Sequence, residues 1–315
     1  MVAWGSARIA AYQHAVLIHN PYAGRIRNNP RLLEEVQSAL APLATEWEIL
    51  ATSGPGMGGG LAAERVAAGA DLVLAMGGDG TLNEVMQGVA GTGAVLGLVP
   101  AGTANVLAME TGIGGDTLRA AARLREARPV EIALGCLHPA GGAARMFVAM
   151  AGVGLDAGIV RRVQPGFKRR FGKLSYWLAG FGAVGQRLHE FEITLDGRPY
   201  RASYALLSRV RNYGGDLEIA RHASLLRDDL AVVLFEGENS LRYLKYFGGV
   251  LLNRLSGMKG VHVLHAREVE VRPLNGRAVD VQLDGEYAGV APLRISCGAR
   301  RVRLLLPPEF IDRAG

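Results

Sequence analysis

Asp71-Leu72-Val73-Leu74-Ala75-Met76-Gly77-Gly78-Asp79-Gly80-Thr81-Leu82-Asn83-Glu84 is the stretch on which the fold turns. An apolar run this short, closed by turn residues, reads as a buried strand. The glycines after it let backbone N–H groups approach a ligand, and a helix N-terminus adjoining them carries partial positive charge, so the unit is built for phosphate. Asp79 breaks that pattern. A carboxylate amid phosphate-binding glycines repels an anion unless a cation lies between them, which makes Asp79 the residue expected to meet Mg²⁺ bound to ATP.

Working outward, three more strand-like runs occur within the first 100 residues: His14 to His19, Thr45 to Ala51 and Ala94 to Val99. Arg31 to Leu43 and Leu61 to Ala68 between them read as amphipathic helices. Strands alternating with helices imply a parallel sheet with right-handed crossovers. Each strand is followed by turn residues: Asn20-Pro21-Tyr22-Ala23-Gly24, Thr52-Ser53-Gly54-Pro55-Gly56, Gly77 to Gly80, and Pro100-Ala101-Gly102-Thr103-Ala104-Asn105. In a parallel sheet all four gather at the carboxyl edge, where open α/β sheets bind ligands. Thr81 and Thr103 are placed where a helix begins, able to cap it or to donate to a phosphate.

Two other nucleotide motifs are excluded. Gly166 to Lys173 has the wrong spacing for a P-loop and no hydroxyl residue after the lysine. Gly152-Val153-Gly154-Leu155-Asp156-Ala157 resembles a dinucleotide fingerprint but lacks an acidic residue at the ribose position some 20 residues on.

The chain has 315 residues, enough for two domains, and is 49% hydrophobic and 20% charged, as a globular protein with sizeable cores should be. No apolar run reaches the roughly 18 residues that span a bilayer, and Met1 to Ala11 has no apolar h-region, so neither a membrane helix nor a signal peptide is expected. Cys136 and Cys297 lie outside any metal-ligand spacing and suit a reduced cytoplasm. The net charge of +6 favours anionic partners without choosing among them.

From about residue 136 the pattern shifts to alternation and tight turns. Phe191 to Leu195 leads into Asp196-Gly197, and Val279 to Leu283 into Asp284-Gly285; both are hairpin signals. Between Gly158 and Arg187 lie Arg161, Arg162, Lys168, Arg169, Arg170, Lys173 and Arg187 with no acidic residue, interleaved with Phe167, Phe171, Tyr176, Trp177 and Phe181. Leu241 to Lys259 combines Arg242, Lys245, Arg254 and Lys259 with Tyr243, Tyr246 and Phe247. Basic residues mixed with aromatics suit an anionic bilayer interface. Nucleic acid would attract the same charges, but no nucleic-acid motif accompanies them.

The ordered set NPYAG (20–24), GGDGTLNEV (77–85), PAGTANVLA (100–108), GVGLDAG (152–158), GKLSY (172–176), Asn212-Tyr213-Gly214-Gly215 and Asp284-Gly285-Glu286 resembles the diacylglycerol kinase catalytic-domain family, which includes bacterial lipid kinases and sphingosine kinases. GGDGT alone is shared with NAD kinases. The resemblance implies an α/β plus β fold: a Rossmann-like nucleotide-binding domain over 1–135, to which 306–315 return, and a β-rich, sandwich-like lipid-substrate domain over 136–305. ATP would lie in the cleft against Asn20, Pro21, Gly24, Thr52, Gly77, Gly78, Asp79, Gly80, Thr81, Asn83, Glu84 and Thr103, with Arg25 and Arg27 in reach of phosphate. Glu286 would be the base that prepares the lipid hydroxyl and Asp79 the carboxylate linked to Mg²⁺, though the two roles could be exchanged. Asp156 corresponds to a lipid head-group contact.

The resemblance also implies a structural Mg²⁺ held by Asp228 and the carbonyls of Leu225 and Leu230. Two departures stand out: Asn105-Val106 where the family often has Asn-Asp, and Asp228-Asp229 where it usually has Asp-Gly. Asp229 disfavours a positive φ at that turn, which counts against the second metal. The function expected is ATP-dependent phosphorylation of a lipid such as diacylglycerol, with Mg²⁺, by a cytoplasmic protein peripheral to the inner membrane face. No nucleic-acid partner is expected, and the oligomeric state, a homodimer included, stays open. A soluble NAD kinase-like enzyme and a nucleotide-binding regulatory protein without turnover are the alternatives.

Overall fold

The computed structural model describes residues 11–155, 157, 188–213, 217–239, 241–251 and 254–314. The first layer is a parallel sheet of β1 (Tyr12–His19), β2 (Ala44–Ala51), β3 (Leu72–Gly77) and β4 (Val95–Pro100), in the order β2-β1-β3-β4. The central strands β3 and β4 are buried along their whole length, which is why they are continuous apolar runs rather than alternating ones. In this register His19 lies beside Met76 and Ala51, and Gly77 beside Pro100, so all four strands end at one edge.

Helices α1 (Gly24–Asn28), α2 (Leu32–Leu40), α3 (Met57–Ala67) and α4 (Asp79–Val89) follow the first three strands. The helix expected over Arg31 to Leu43 stops at Leu40 and tightens into a 3₁₀ turn over Ala41–Leu43, where Pro42 cannot continue an α-helical ladder. The helix expected from Leu61 instead starts at Met57. Gly58, Gly59 and Gly60 are poor helix formers, but they let α3 lie almost backbone-to-backbone on α4. A Cβ at Gly59 would sit 2.9 Å from the Glu84 carbonyl, and one at Gly88 would collide with the Gly59 carbonyl. Packing overrides propensity there. After β4 come α5 (Val106–Glu110) and α6 (Thr117–Arg123).

The chain then builds β5 (Arg128–Pro139), β6 (Arg145–Phe147), β7 (Met150–Gly154), β8 (Phe191–Leu195), β9 (Arg198–Ala202), β10 (Tyr204–Ser208), a short ribbon β11 (Asn212–Tyr213) and β12 (Leu217–Glu218), and β13 (Leu230–Phe235). Helix α7 (Leu241–Leu251), β14 (Val261–Ala266), β15 (Glu268–Pro273), β16 (Asp280–Leu283), β17 (Glu286–Val290), β18 (Leu293–Leu306) and α8 (Pro308–Ala314) complete it. A six-stranded antiparallel sheet in the order β14-β13-β10-β7-β16-β17 faces the strands β15, β8 and β9 of the larger sheet. Their inward residues, Phe191, Ile193, Val269 and Val271 against Val153, Leu207, Val232 and Val281, form one apolar core. This is the α/β plus β-sandwich arrangement that the family resemblance implies.

One strand joins the two halves. β18 pairs with β15 through Leu293 to Ser296 and then, at Arg303 and Leu304, runs parallel to β4. A second core beneath the parallel layer holds Leu17, Leu74, Met86 and Leu96 together with Leu304 to Leu306 and Phe310 from the chain's last segment. Cys136 and Cys297 are buried and form no disulfide.

Candidate active site

The Asp284-Gly285 turn between β16 and β17 has φ of +47° and +83°, the pair of left-handed residues that an Asp-Gly hairpin adopts. Its aspartate is turned toward the first layer. Asp284 accepts hydrogen bonds from Asn83 Nδ2 on α4 at 2.7 Å and from the backbone N–H groups of Val148, Ala149 and Met150 at 3.1, 3.0 and 2.8 Å. Gln87, one turn further along α4, forms a two-way clamp on Met146, donating to its carbonyl at 2.8 Å and accepting from its N–H at 3.1 Å. Together these bonds fix the hairpin against the start of α4.

The consequence is the position of Glu286. A Cβ on Gly80 would lie 2.9 Å from Glu286 Oε1, so the carboxylate sits directly over the second residue of α4. Glu286 is half exposed, with Arg145 Nη2 at 3.7 Å. Asp79, one residue earlier on α4, accepts a 2.7 Å hydrogen bond from Val106 N and so ties the first turn of α4 to that of α5. Asp79 and Glu286, 207 positions apart by their numbering, therefore flank the same helix end.

The electrostatics of this end are unusual. Burial raises the Asp79 carboxyl above the ordinary carboxylate range, and the nearby charge of Asp284 raises it further, while hydrogen bonds from the Val106 and Leu107 backbone oppose both. Burial likewise raises Asp284, against the pull of its four donors. Two carboxylates sharing a poorly solvated site would be relieved by a cation brought to them. The residues thus suit a nucleotide-borne Mg²⁺, which needs only one or two protein carboxylates.

The other anticipated nucleotide residues fall into three groups. Asn20, Thr52, Gly77, Gly78 and Thr81 do cluster at the carboxyl edge. Asn20 Oδ1 accepts from Tyr22 N at 2.9 Å, its Nδ2 lies 3.4 Å from Thr81 Oγ1, and Thr52 N donates to the His19 carbonyl at 2.9 Å. A Cβ on Gly102 would come within 2.5 Å of Gly78 Cα, so the third and fourth turns touch backbone to backbone. Pro21 and Gly24 are on the more exposed rim with Arg25 and Arg27.

Asn83 and Glu84, expected to line the nucleotide, carry structural bonds. Asn83 reaches Asp284, and Glu84 accepts from Gly56 N and Gly58 N at 2.8 and 3.0 Å, closing the start of α3. The threonines differ from expectation too. Thr81 is the third residue of α4, buried against Gly77, and Thr103 is an exposed turn residue; the positions preceding the helices are Gly78 and Asn105. Asn105 instead braces the fourth turn, accepting from Gly102 N and donating to the Gly102 carbonyl.

Asp156, the residues of the 158–187 segment and Gly214-Gly215 lie outside the described residues. Tyr246 of the second basic-aromatic segment is a core residue, with its ring 5.3 Å from Phe235 and its hydroxyl 3.2 Å from the Glu236 carbonyl. Arg242, Lys245, Arg254 and Lys259 of that segment are exposed.

Leu225 and Asp228, which the resemblance offers to a structural Mg²⁺, are engaged by cationic side chains. Leu225 O accepts from Arg209 Nη2 at 2.6 Å, and the Asp228 carboxylate is held by Arg301. Asp229 is not among the residues with positive φ, so the turn does not take the conformation an Asp-Gly pair would give it there. Arg209, Arg145 and Asp284 were not legible as site residues. Asp284 carried a signal, the Asp-Gly pair, but that signal predicts only a turn.

The class of protein follows from comparison with known sequences. Residues 14–137 match the diacylglycerol kinase catalytic domain, and residues 149–306 match the YegS C-terminal NAD kinase beta sandwich-like domain. The chain belongs to the lipid kinase family that combines these two domains. Among its relatives, a diacylglycerol kinase of Bacillus subtilis is 27% identical over 309 residues, covering 96% of this chain and 99% of that one. A Pseudomonas putida protein named "Probable lipid kinase YegS-like" is 30% identical over 283 residues, covering 87% and 91%. A crystal structure of a Bacillus anthracis diacylglycerol kinase superposes with a TM-score of 0.74 at 21% identity, covering 95% of this chain and 98% of that one, and shows the same fold.

Proposed function

We propose that the protein transfers the γ-phosphate of ATP to the hydroxyl of a membrane lipid, diacylglycerol or a close relative, at the surface of an anionic bilayer. The observation that carries this reading is the convergence of Asp79 and Glu286 on the first turn of α4. Phosphoryl transfer asks little covalent chemistry of a protein. It needs the phosphates held, their charge neutralised and a hydroxyl aligned with the γ-phosphorus.

The glycine turns and the α4 N-terminus bind and orient the phosphates. Mg²⁺ arriving with ATP would be held by Asp79 and would supply charge neutralisation on the transferring group. Glu286 is half exposed and approaches from the other layer, so it can accept the proton of an acceptor hydroxyl lying between the layers. Arg145, with Nη2 3.7 Å away, lies where it can help to position that carboxylate. The exposed Arg242, Lys245, Arg254 and Lys259 support docking on anionic lipid. Among the described residues no helix is long and apolar enough to cross a membrane.

The test is transfer of labelled γ-phosphate from ATP to a panel of lipids in mixed micelles with Mg²⁺, using wild type and Asp79→Ala, with NAD as a control acceptor. Labelled lipid from wild type alone is expected. Labelled NAD without labelled lipid would replace the lipid with a soluble acceptor.

A further inference from the structure

The segment joining β12 to β13 contains a site that the phosphotransfer reading does not use. Its main chain turns the carbonyl oxygens of Leu225, Arg227 and Asp229, at alternate positions, toward a common centre. That centre is filled by the guanidinium of Arg209, which follows β10 directly. Arg209 Nη2 donates to Leu225 O at 2.6 Å, and Nη1 to Arg227 O at 3.0 Å and to Asp229 O at 3.3 Å. Nη1 also lies 3.0 Å from Cys297 Sγ. Arg209 has 0% exposure and is the bulkiest fully buried side chain among the described residues.

A buried guanidinium is costly to desolvate and survives only where acceptors surround it. Conversely, converging carbonyls leave concentrated negative potential that needs a cation. The two requirements meet here at Nη1 and Nη2, while Nε is buried without a hydrogen-bond partner. We infer that the Arg209 guanidinium is the resident cation of this turn and excludes a divalent metal ion from Leu225 O, the one implied metal ligand that it bonds.

The remaining donors that could have ligated a metal are committed elsewhere. Arg301 pairs with the Asp228 carboxylate, and Arg227 holds Asp229 at 2.9 Å from Nε. His265 Nδ1 adds a further contact to Asp229 at 3.4 Å. A Mg²⁺ at Leu225 O would sit beside a guanidinium nitrogen already 2.6 Å from that oxygen, and the two like charges would repel. Guanidinium also differs from a metal in that it is always charged and cannot be chelated away. The turn is therefore permanently braced.

The brace connects to the active site. Arg209 N donates to the Ala149 carbonyl at 2.8 Å, and Ala149 N is one of the groups held by Asp284. Two residues on, Arg211 donates from N and Nε to Glu110 of α5, the helix whose start Asp79 secures. Arg209 is thus a positioning residue. The inference concerns the turn alone and stands whichever lipid is phosphorylated.

Two measurements test it without relying on activity. Wild-type protein without nucleotide should melt within about 1 °C of the same Tm in excess EDTA and in millimolar Mg²⁺, and should carry no stoichiometric divalent metal after gel filtration. A drop of several degrees on chelation, or one metal ion retained per chain, would overturn it. Arg209→Ala should lower Tm by roughly 10 °C, and millimolar Mg²⁺ or guanidinium should recover part of that loss in the variant but none in wild type. A folded variant as stable as wild type would also overturn the inference. If the variant does not fold, the wild-type melts and metal content decide.

Discussion

The molecule contains two Asp-Gly hairpins with nearly the same backbone and different surroundings. Asp196-Gly197 joins β8 to β9 with φ of +44° and +83°; Asp284-Gly285 joins β16 to β17 with +47° and +83°. Both aspartates accept main-chain hydrogen bonds. Asp196 is exposed and takes Arg267 N and Glu268 N from a neighbouring strand of its own sheet. Asp284 takes three consecutive N–H groups and Asn83 of the facing α/β layer, and burial raises its carboxyl above the usual range. The residue after the first turn is Arg198, on the surface; the residue after the second is Glu286, over the start of α4. A turn signal specifies backbone shape. What faces the turn makes one hairpin a sheet edge and sets the other against the start of α4, at the proposed catalytic centre.

The largest contrast is expected from removing each aspartate. Asp284→Ala leaves several enclosed donors without an acceptor and should cost about 4 kcal/mol, at about 1–3 kcal/mol per unsatisfied group, and should lower kcat by roughly 100-fold as Glu286 loses its position. Asp196→Ala returns its donors to water and should cost about 1 kcal/mol with turnover unchanged. The penalty of alanine at positive φ is common to both and cancels in the comparison. Urea denaturation of the two variants measures this, and equal losses would dissolve the distinction between the hairpins.

A smaller and more selective effect is expected at Gly80→Ala. Alanine favours a helix over glycine by about 1 kcal/mol, but its Cβ would press on Glu286 Oε1. Unchanged or improved stability with kcat lowered about 10-fold is expected; a normal rate would show that Glu286 need not stand where it does.

The smallest effect is in the pH dependence. A carboxyl whose folded pKa is raised binds its proton more tightly when folded, so its contribution to stability falls as pH rises from the ordinary carboxylate value through the folded one. For Asp284 the stability of wild type minus that of Asp284→Asn should therefore decline as pH rises above about 4, the ordinary carboxylate value. A rising difference for Asp284 would reverse the assigned cause of its shift.

Much of this was readable from the chain. β3, β4 and most of β1 announced themselves as uninterrupted apolar runs because both of their faces are covered, whereas the edge strand β2 is partly exposed and carries Thr45, Glu46 and Glu48. The structure moves the ends of all four by only one or two residues. Asp79 stood out because a carboxylate among phosphate-binding glycines calls for a cation. Glu286 was visible only through family resemblance, since by itself Asp284-Gly285-Glu286 is another hairpin.

Glu84 was assigned to the nucleotide because nothing local reveals that its acceptors' partners, Gly56 and Gly58, lie 28 and 26 residues upstream. Arg209 was silent for the same reason. Nothing near Arg209 in the chain indicates that the carbonyls of residues 225, 227 and 229 fold onto it. Local pattern reports covalent neighbours; long-range polar pairing appears only with the tertiary structure.

The central claim is that Glu286, delivered by the second hairpin, prepares the acceptor hydroxyl for phosphoryl transfer. It is tested most directly by kcat of Glu286→Gln in the labelled-phosphate assay, with ATP affinity measured on the same preparation. A loss of about 10³-fold in kcat with ATP affinity and Tm unchanged is the predicted result. Turnover within a few-fold of wild type would contradict it and move the role of base to another residue.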